Sequence, residues 1–517
     1  MSSPDLDTLS AEELRDLTRG LLAQVQELAS CQARQEQELA WRQAKIDKLT
    51  HELALHKRWR FGARTEQWSS EQARLFEETL EADVAAIEQE LAELSTTQKP
   101  AEKRQPKRAP LPPELPRTDI RHEPDSTTCR CGCTLRRIGE DVAEKLDYTP
   151  GTFTVERHIR GKWVCAACET LIQAPVPPHV IDKGLPTAGL LAQVLVAKYA
   201  DHLPLYRQEG IFARAGLAIP RSTLAQWVGM CGVALQPLVD ALKAEMLSHR
   251  VLHADETPVA MLKPGAGKTH RAYLWGYMTG AFEDMQAVVY DFTDSRAGKH
   301  ARDFLGDWRG TLVCDDYSGY KALFAAGVTE AGCMAHARRK FFDLHQSHQS
   351  PLAGQALDYF GQLYGIEREV ADLDAESRLQ RRQADAKPVA DALHAWLVAQ
   401  RQQVPNGSSI ARAIDYALTR WGPLIHYLED GQVPIDNNWM ENRIRPITLG
   451  RNNWLFAGSL RAGQRAAAVM SLIQSARLNG HDPYAYLKDV LNRLPTQLAS
   501  RVGELLPHRW QPVIPAN

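Results

Sequence analysis

Apolar positions divide this chain into a helical N-terminal stretch, a strand-rich middle and a helical remainder. From Leu14 to Leu53 an apolar seam steps by three and four: Leu14, Leu17, Leu21, Val25, Leu28, then Leu39, Ile46, Leu49 and Leu53. Gln32, Gln35 and Arg42 interrupt it, and successive steps of four at Leu21 form a stutter. The pattern predicts a coiled coil over residues 1–57, whose simplest partner is a second copy of the chain. One amphipathic helix docked on its own protein fits the same seam. A basic-aromatic motif and a second helix, Ser70 to Leu94, occupy 58–95. Prolines and charges make 96–120 a solvated basic linker. Leu203 to Met230 reads as a helix, a Gly-containing turn and a second helix started by Pro220. That is a helix-turn-helix pattern within 183–247.

The middle carries the chemistry. VLHADETPVAML, RAYLWGYM and AVVYDFT read as strands, Ala301 to Trp308 as a helix, and TLVCDDYSGY as a fourth strand ending in Asp315 and Asp316. Three strands, a helix and a strand, with acids on the first and fourth, is the order of an RNase H-like α/β catalytic core. Either acid alone is also a good turn cap. Two carboxylates on adjacent central strands are costly unless a cation lies between them. Tyr320 to Gly327 predicts a helix and Val328 to His336 a fifth strand, which closes a first core segment at 248–336. Residues 337–432 have only helical signal and read as an all-helical insertion. The core resumes over 433–473, where Asp436 or Asn437 caps a helix bearing Glu441 one turn in. A C-terminal helical segment fills 474–517. The fold expected is therefore multidomain α+β.

Composition narrows the partners. Against 63 Asp and Glu stand 61 Lys and Arg, so any nucleic-acid affinity must come from local basic surfaces. Candidates are Arg58, Arg60 and Arg64 in KRWRFGARTEQ, and Arg221, Gln226 and Trp227 on the second helix of the helix-turn-helix pattern. Beyond Glu441 the candidates are Arg443, Arg445, Arg451, Arg461 and Arg465, with Trp439 or Trp454 to stack on a base. No apolar run reaches the roughly 18 residues of a membrane span, and MSSPDLDTLS lacks the features of a signal peptide. A cytoplasmic, membrane-free protein is expected. Five of nine cysteines, Cys129, Cys131, Cys133, Cys165 and Cys168, lie within forty residues. Two knuckles so spaced predict a four-thiolate Zn2+ domain over 121–182, with redox-active thiols as the alternative. Cys165 and Cys168 supply one pair. Cys129 with Cys133, or either with Cys131, supplies the other, and His158 is a spare ligand type.

In order, these motifs resemble the transposases of the insertion-sequence-66 family, which are DDE enzymes. The resemblance rests on FGARTEQ, the cysteine domain before VERHIRGKWVC, HADETP, CDDYSGY, HARRKFF, DNNWMENRIRP, GRNNWLFAGS and LNGHDPYAYL. Thr65 and Asn442 depart from the family pattern. The resemblance implies a triad of Asp255, Asp315 and Glu441 holding Mg2+, with Mn2+ as a substitute. Asp316 is the alternative for the second acid, and Glu256 a weaker one. It implies cleavage that frees 3′-hydroxyl ends at terminal inverted repeats, followed by joining to target DNA. Cys333 and His336 form a C-x-x-H element expected to position the site, with a second zinc as the alternative. Expected partners are DNA, a second or further copies of the chain, and small accessory proteins. The expected location is a bacterial cytoplasm, on the nucleoid when bound to DNA. Rival functions are a zinc-finger regulator derived from a transposase, and a structure-specific nuclease that does not join ends.

Overall fold

The structure, a computed structural model, describes residues 11–61, 70–94, 111–149, 151–181, 184–263 and 268–512. The linker up to residue 110, Arg64, and the side chains of Arg58, Arg60, Leu14, Leu17, Leu21, Val25 and Leu28 lie outside the described residues. The chain divides into two compact units: Met1–Ala63 with Ala86–Pro106, and Arg64–Ala85 with Lys107–Asn517. The first holds α1 (Ala11–Phe61), one continuous helix of 51 residues, and the end of α2 (Ser70–Leu94). Lys57 pairs with Glu88 at 3.0 Å, and Leu49 is buried, whereas Leu39 of the seam and Trp41 are exposed.

The second unit holds the first part of α2 and then a small sheet: β1 (Arg117–His122), β2 (Leu135–Thr149), β3 (Thr152–Cys165) and β4 (Leu171–Gln173). Gly151, at φ 92°, turns the long β2–β3 hairpin through a conformation that favours glycine. Three helices follow, α3 (Ala188–Tyr199), α4 (Leu205–Arg214) and α5 (Arg221–Met246).

The five-stranded sheet comprises β5 (Val251–Met261), β6 (His270–Thr279), β7 (Val288–Thr293), β8 (Thr311–Cys314) and β9 (Thr329–Gly332). Helices α6 (Lys299–Leu305) and α7 (Lys321–Ala325) flank β8 in sequence. The strand order is β7-β6-β5-β8-β9; β5 and β6 pair antiparallel, as do β6 and β7, while β8 runs parallel to β5 and β9 to β8. The fifth strand is shorter than its apolar run predicts. It stops at Gly332, and Cys333 is the N-cap of the next helix, with His336 in the first turn.

The insertion is helical, as its pattern predicts: α8 (Met334–His348), α9 (Pro351–Glu369), α10 (Ala375–Arg381), α11 (Lys387–Gln403), α12 (Ser409–Thr419) and α13 (Trp421–Ile425). Its core of Phe341, Phe360, Leu393 and Ile414 continues onto Val251, Val313 and Ala331, so it covers one face of the sheet. The chain then returns through α14 (Asn438–Trp454), α15 (Leu460–Leu478) and α16 (Pro483–Arg493). α15 protects the β7 edge: the amides of Tyr290 and Val288 donate to the hydroxyls of Ser471 and Ser475 at 2.8 and 3.0 Å. None of the described helices is long and apolar enough to cross a membrane.

Two buried arginines bring the chain back from the insertion. Arg382 sits in a π-helical turn between α10 and α11, grips Glu367 with two nitrogens, and donates to the carbonyls of Tyr427, Asp430 and Val433 at 2.9–3.0 Å. Arg378 donates to the carbonyl of Gly431, where a Cβ would lie 1.8 Å from the Ala375 carbonyl oxygen. Arg382→Ala strands the largely buried Glu367 and three carbonyls. It should cost about 3–5 kcal/mol, read as a lower denaturant midpoint; an unchanged midpoint contradicts this account.

Candidate active site and zinc centre

The register of β5 and β8 brings two acids near each other. Val251, Leu252 and His253 pair in parallel with Thr311, Leu312 and Val313; two residues farther along the chain stand Asp255, still in β5, and Asp315, just past the end of β8. On the other side Asp255 faces Gly276 of β6. A Cβ at Gly276 would come within 2.1 Å of Met440 Cε, so the glycine admits the start of α14 onto this face of the sheet. Glu441 is the next residue.

Asn437 fixes that approach. Its side chain meets His253 Nδ1 at 2.7 Å and donates to the Ala254 carbonyl at 2.9 Å, while its backbone N–H donates to Cys333 Sγ at 3.2 Å. Its amide side chain is therefore turned into the core and does not cap α14, although Asn437 occupies the N-cap position. Asp436 closes the turn instead, accepting from the Asn438 backbone N–H at 3.0 Å and from the Tyr364 hydroxyl at 2.7 Å. His336 Nδ1 lies 3.7 Å from Glu441 Oε1.

Burial, and then the neighbouring carboxylates of Glu256, Glu441 and Asp315, push the Asp255 carboxyl up to about 8. The two alternative acids are engaged elsewhere. Glu256 accepts from Arg296 Nε and from the Tyr320 hydroxyl, both at 2.8 Å. Asp316, exposed, faces Arg420 at 3.2 Å and Lys321 at 3.4 Å. Among the described residues Asp315 accepts only from the Tyr317 backbone N–H, at 2.9 Å. Two hollows open here. Asp255, Glu441, Asn442, Arg339 and Arg445 line one, and Asp315, Arg296, Tyr317, His336 and Tyr416 the other. Among the described residues, two sets of metal-ligating atoms fall within 4.8 Å of one another: a cysteine quartet, and Cys333 with His336 and Glu441. The three acids are spread more widely.

The predicted DNA-contacting residues have different fates. Arg445 is exposed on the first hollow. Arg443 lies over the Trp439 ring at 4.9 Å, and Arg451 donates to the Pro258 carbonyl at 2.7 Å. Trp454 packs against the main core, and Arg465 is buried on Asp83 at 2.9 Å, which removes it from phosphate reach. Arg221 pairs with Glu77 at 2.6 Å, Gln226 is exposed, and Trp227 is buried, so the tryptophan does not belong to an exposed recognition face. The sequence pattern gave Asn437 only a capping role, in place of its contacts with His253 and Ala254, and did not point to Arg296 or Arg339. Arg339 lay within the quoted HARRKFF run; nothing in the sequence singled out Arg296.

In the small sheet, pairing of Leu135 with Cys165 across the β2–β3 hairpin brings the two cysteine knuckles together. Cys129 Sγ lies 3.3 Å from Cys168 Sγ, and Cys131 Sγ lies 3.6 and 3.7 Å from those of Cys165 and Cys168. Zn–S bonds of about 2.3 Å give a tetrahedral edge of about 3.8 Å, so these four thiols can bind zinc. Cys133 stands outside the quartet and closes the knuckle through its carbonyl, which accepts from the Cys129 N–H at 2.8 Å. His158 meets His122 at 3.1 Å and is not a member either. Thr170, whose hydroxyl lies 3.1 Å from its sulfur, leads the interactions that hold Cys168 down to about 6. The local core is small: Cys129, Leu135 and Cys165, with Cys133, Trp163 and Ile172 against them.

Comparison with known families gives four matches in chain order. The "Transposase IS66 family" model matches residues 183–465, and the "IS66 C-terminal element" matches 471–508. "Transposase C of IS166 homeodomain" matches 48–120, and "zinc-finger binding domain of transposase IS66" matches 126–169. The chain is also similar to uncharacterized proteins of Sinorhizobium fredii (strain NBRC 101917 / NGR234). It is 35% identical to y4hP over 491 residues, covering 90% of this chain and 88% of that protein. It is 37% identical to y4qI over 492 residues, 90% of each, and 38% identical to y4jD over 420 residues, 78% and 81% respectively.

The quartet predicts one zinc per chain. Cys165→Ser and Cys131→Ser should lose the metal and loosen the hairpin end, because metal binding supplies folding energy where the core is this small. Cys133→Ser should keep it. Metal analysis of the three purified variants checks this, and a zinc-free Cys133→Ser protein would overturn the ligand choice.

Proposed function

The chain belongs to the IS66 transposase family, and on that premise we propose that Asp255, Asp315 and Glu441 form its DNA-cleaving and end-joining centre. The observation that carries this reading is the meeting of β5, β8 and α14, which directs three acids from distant parts of the chain to one end of the sheet. The strand order is also that expected of an RNase H-like core. Asp255 is buried among like charges with no basic side chain hydrogen-bonded to it among the described residues, a setting that suits a divalent cation. The three acids would hold Mg2+, or Mn2+ in its place. When bound, the metal supplies activation of the attacking hydroxyl and stabilisation of the leaving oxygen.

The protein's part is positioning. Cys333 and Asn437 hold the start of α14, and His336 flanks Glu441. Arg339 and Arg445 face the strand that enters the first hollow and contact its phosphates. The reaction is cleavage at the terminal inverted repeats to free 3′-hydroxyls, followed by their attack on target DNA. The cysteine quartet binds Zn2+ and braces its hairpin. The exposed part of α1 pairs with a second copy, so that two ends meet in one complex. The protein works in the bacterial cytoplasm, beside the DNA it rearranges.

Glu441→Gln keeps the size of the side chain and removes its charge. It should leave end-DNA binding nearly intact and cut cleavage and strand transfer by orders of magnitude. Asp316→Asn should do far less than Asp315→Asn, since Asp316 is held by Arg420 and Lys321. An active Glu441→Gln protein would sink the assignment. A pre-cleaved end that is never joined would favour a nuclease, and ends bound but never cut would favour a regulator.

Protons compete with the cation for Asp255. Its carboxyl titrates near 8, so the ionised form required for binding is depleted as pH falls below that value. The magnesium needed for half-maximal rate should rise by up to about tenfold per pH unit below about 8 and level off above it. Magnesium titrations of strand transfer at several pH values check this; a pH-independent requirement contradicts it.

A further inference from the structure

One guanidinium in the hollow beside Asp315 is held from several sides and still has an edge to spare. Arg296 lies between β7 and α6. Its Nε and Nη2 both donate to Glu256 Oε1, the former at 2.8 Å. The Glu256 side chain is 1% exposed and is also fixed by the Tyr320 hydroxyl, so the anchor is rigid. The guanidinium stacks on the Tyr317 ring at 3.9 Å, and the Tyr317 hydroxyl donates to the Arg296 carbonyl. The remaining nitrogen, Nη1, has no hydrogen-bond partner among the described residues, in a side chain 42% exposed on the wall shared with Asp315 and His336.

The other cations nearby are committed. Arg420 is paired with Glu330 and Asp316, and Lys321 with the same two acids. A planar fork locked by a buried carboxylate and an aromatic face loses little freedom when its last edge takes up an oxygen anion.

Building on the reading of Asp255, Asp315 and Glu441 as the reacting centre, we propose that Arg296 is a phosphate anchor whose open Nη1 edge receives a non-bridging oxygen of the DNA backbone next to the scissile bond. Glu256 acts through Arg296 and is a positioning residue, which gives the second acid of the HADETP motif a role distinct from metal binding. Lysine cannot replace this arginine, because it lacks both the fork that grips Glu256 and the face that stacks on Tyr317.

The test is binding of a duplex carrying one element end, without divalent metal, across a salt series. Arg296→Ala should weaken binding about tenfold and lower the slope of log affinity against log salt by up to about 1. Arg296→Lys should keep the slope and still lose affinity severalfold. Should Arg296→Ala fail to fold, Glu256→Gln with Arg296→Gln removes both charges together, leaves no lone buried carboxylate, and should show the same losses. Wild-type affinity and slope in the folded variants would overturn the anchor and leave Arg296 as a counter-charge for Glu256. Asp255→Asn, tested for binding in the same series and then for cleavage with Mg2+ added, separates the two readings. If it binds but does not cut, the reacting centre stands whatever Arg296 does; if it cuts, the reading of the centre fails.

Discussion

The candidate active site depends on one buried side chain, Asn437. Its amide reaches His253 and the Ala254 carbonyl on the central strand, and its backbone N–H reaches the Cys333 sulfur at the mouth of the insertion. Three segments separated by up to 184 positions are thereby tied at one point. An amide suits this place because it accepts and donates at once, and each of its polar atoms is costly if left unpaired in a buried setting. Glu441 follows four residues later, so its distance from Asp255 is set by this clamp and by the packing of Met440 on Gly276.

Around that clamp the protein accumulates negative charge and answers it unevenly. Glu256 has Arg296, and Asp316 has Arg420 and Lys321, while Asp255 has neighbours of its own sign. The imbalance separates four acids of similar sequence context into two kinds. Glu256 and Asp316 have their charge answered by a basic side chain, and Asp255 does not. The same logic sorts the arginines. Arg378, Arg382 and Arg465 are buried on carbonyls or carboxylates and hold the fold, whereas Arg296, Arg339 and Arg445 reach the hollows.

The cysteine hairpin is organised on a different principle. A few buried side chains cannot by themselves order two knuckles. The strand register brings the four thiols within reach of one metal ion, whose coordination would supply what hydrophobic burial does not.

Much of this was written in local pattern. The five strand runs of the main sheet, the helical character of the insertion and the family motifs all follow from periodicities and short signatures that need no partner to be read. Other features belonged to the tertiary structure. Sequence could not choose among Cys129, Cys131 and Cys133, because the choice depends on which sulfurs the hairpin register brings within reach of the others. It counted Arg465 and Trp454 with the phosphate- and base-contacting groups, because composition cannot reveal burial against Asp83 or the main core. It ended the fifth strand four residues late, at His336 where the strand stops at Gly332, because an apolar run does not show where its hydrogen-bonded partner strand stops. It also gave no hint of Arg296, an isolated arginine in a loop whose use is decided by Glu256 forty residues away. Periodicity and motif are properties of neighbours in the chain. Ligand choice and the pairing of charges are properties of neighbours in space, and only the folded sheet, with α14 returned to it, determines those.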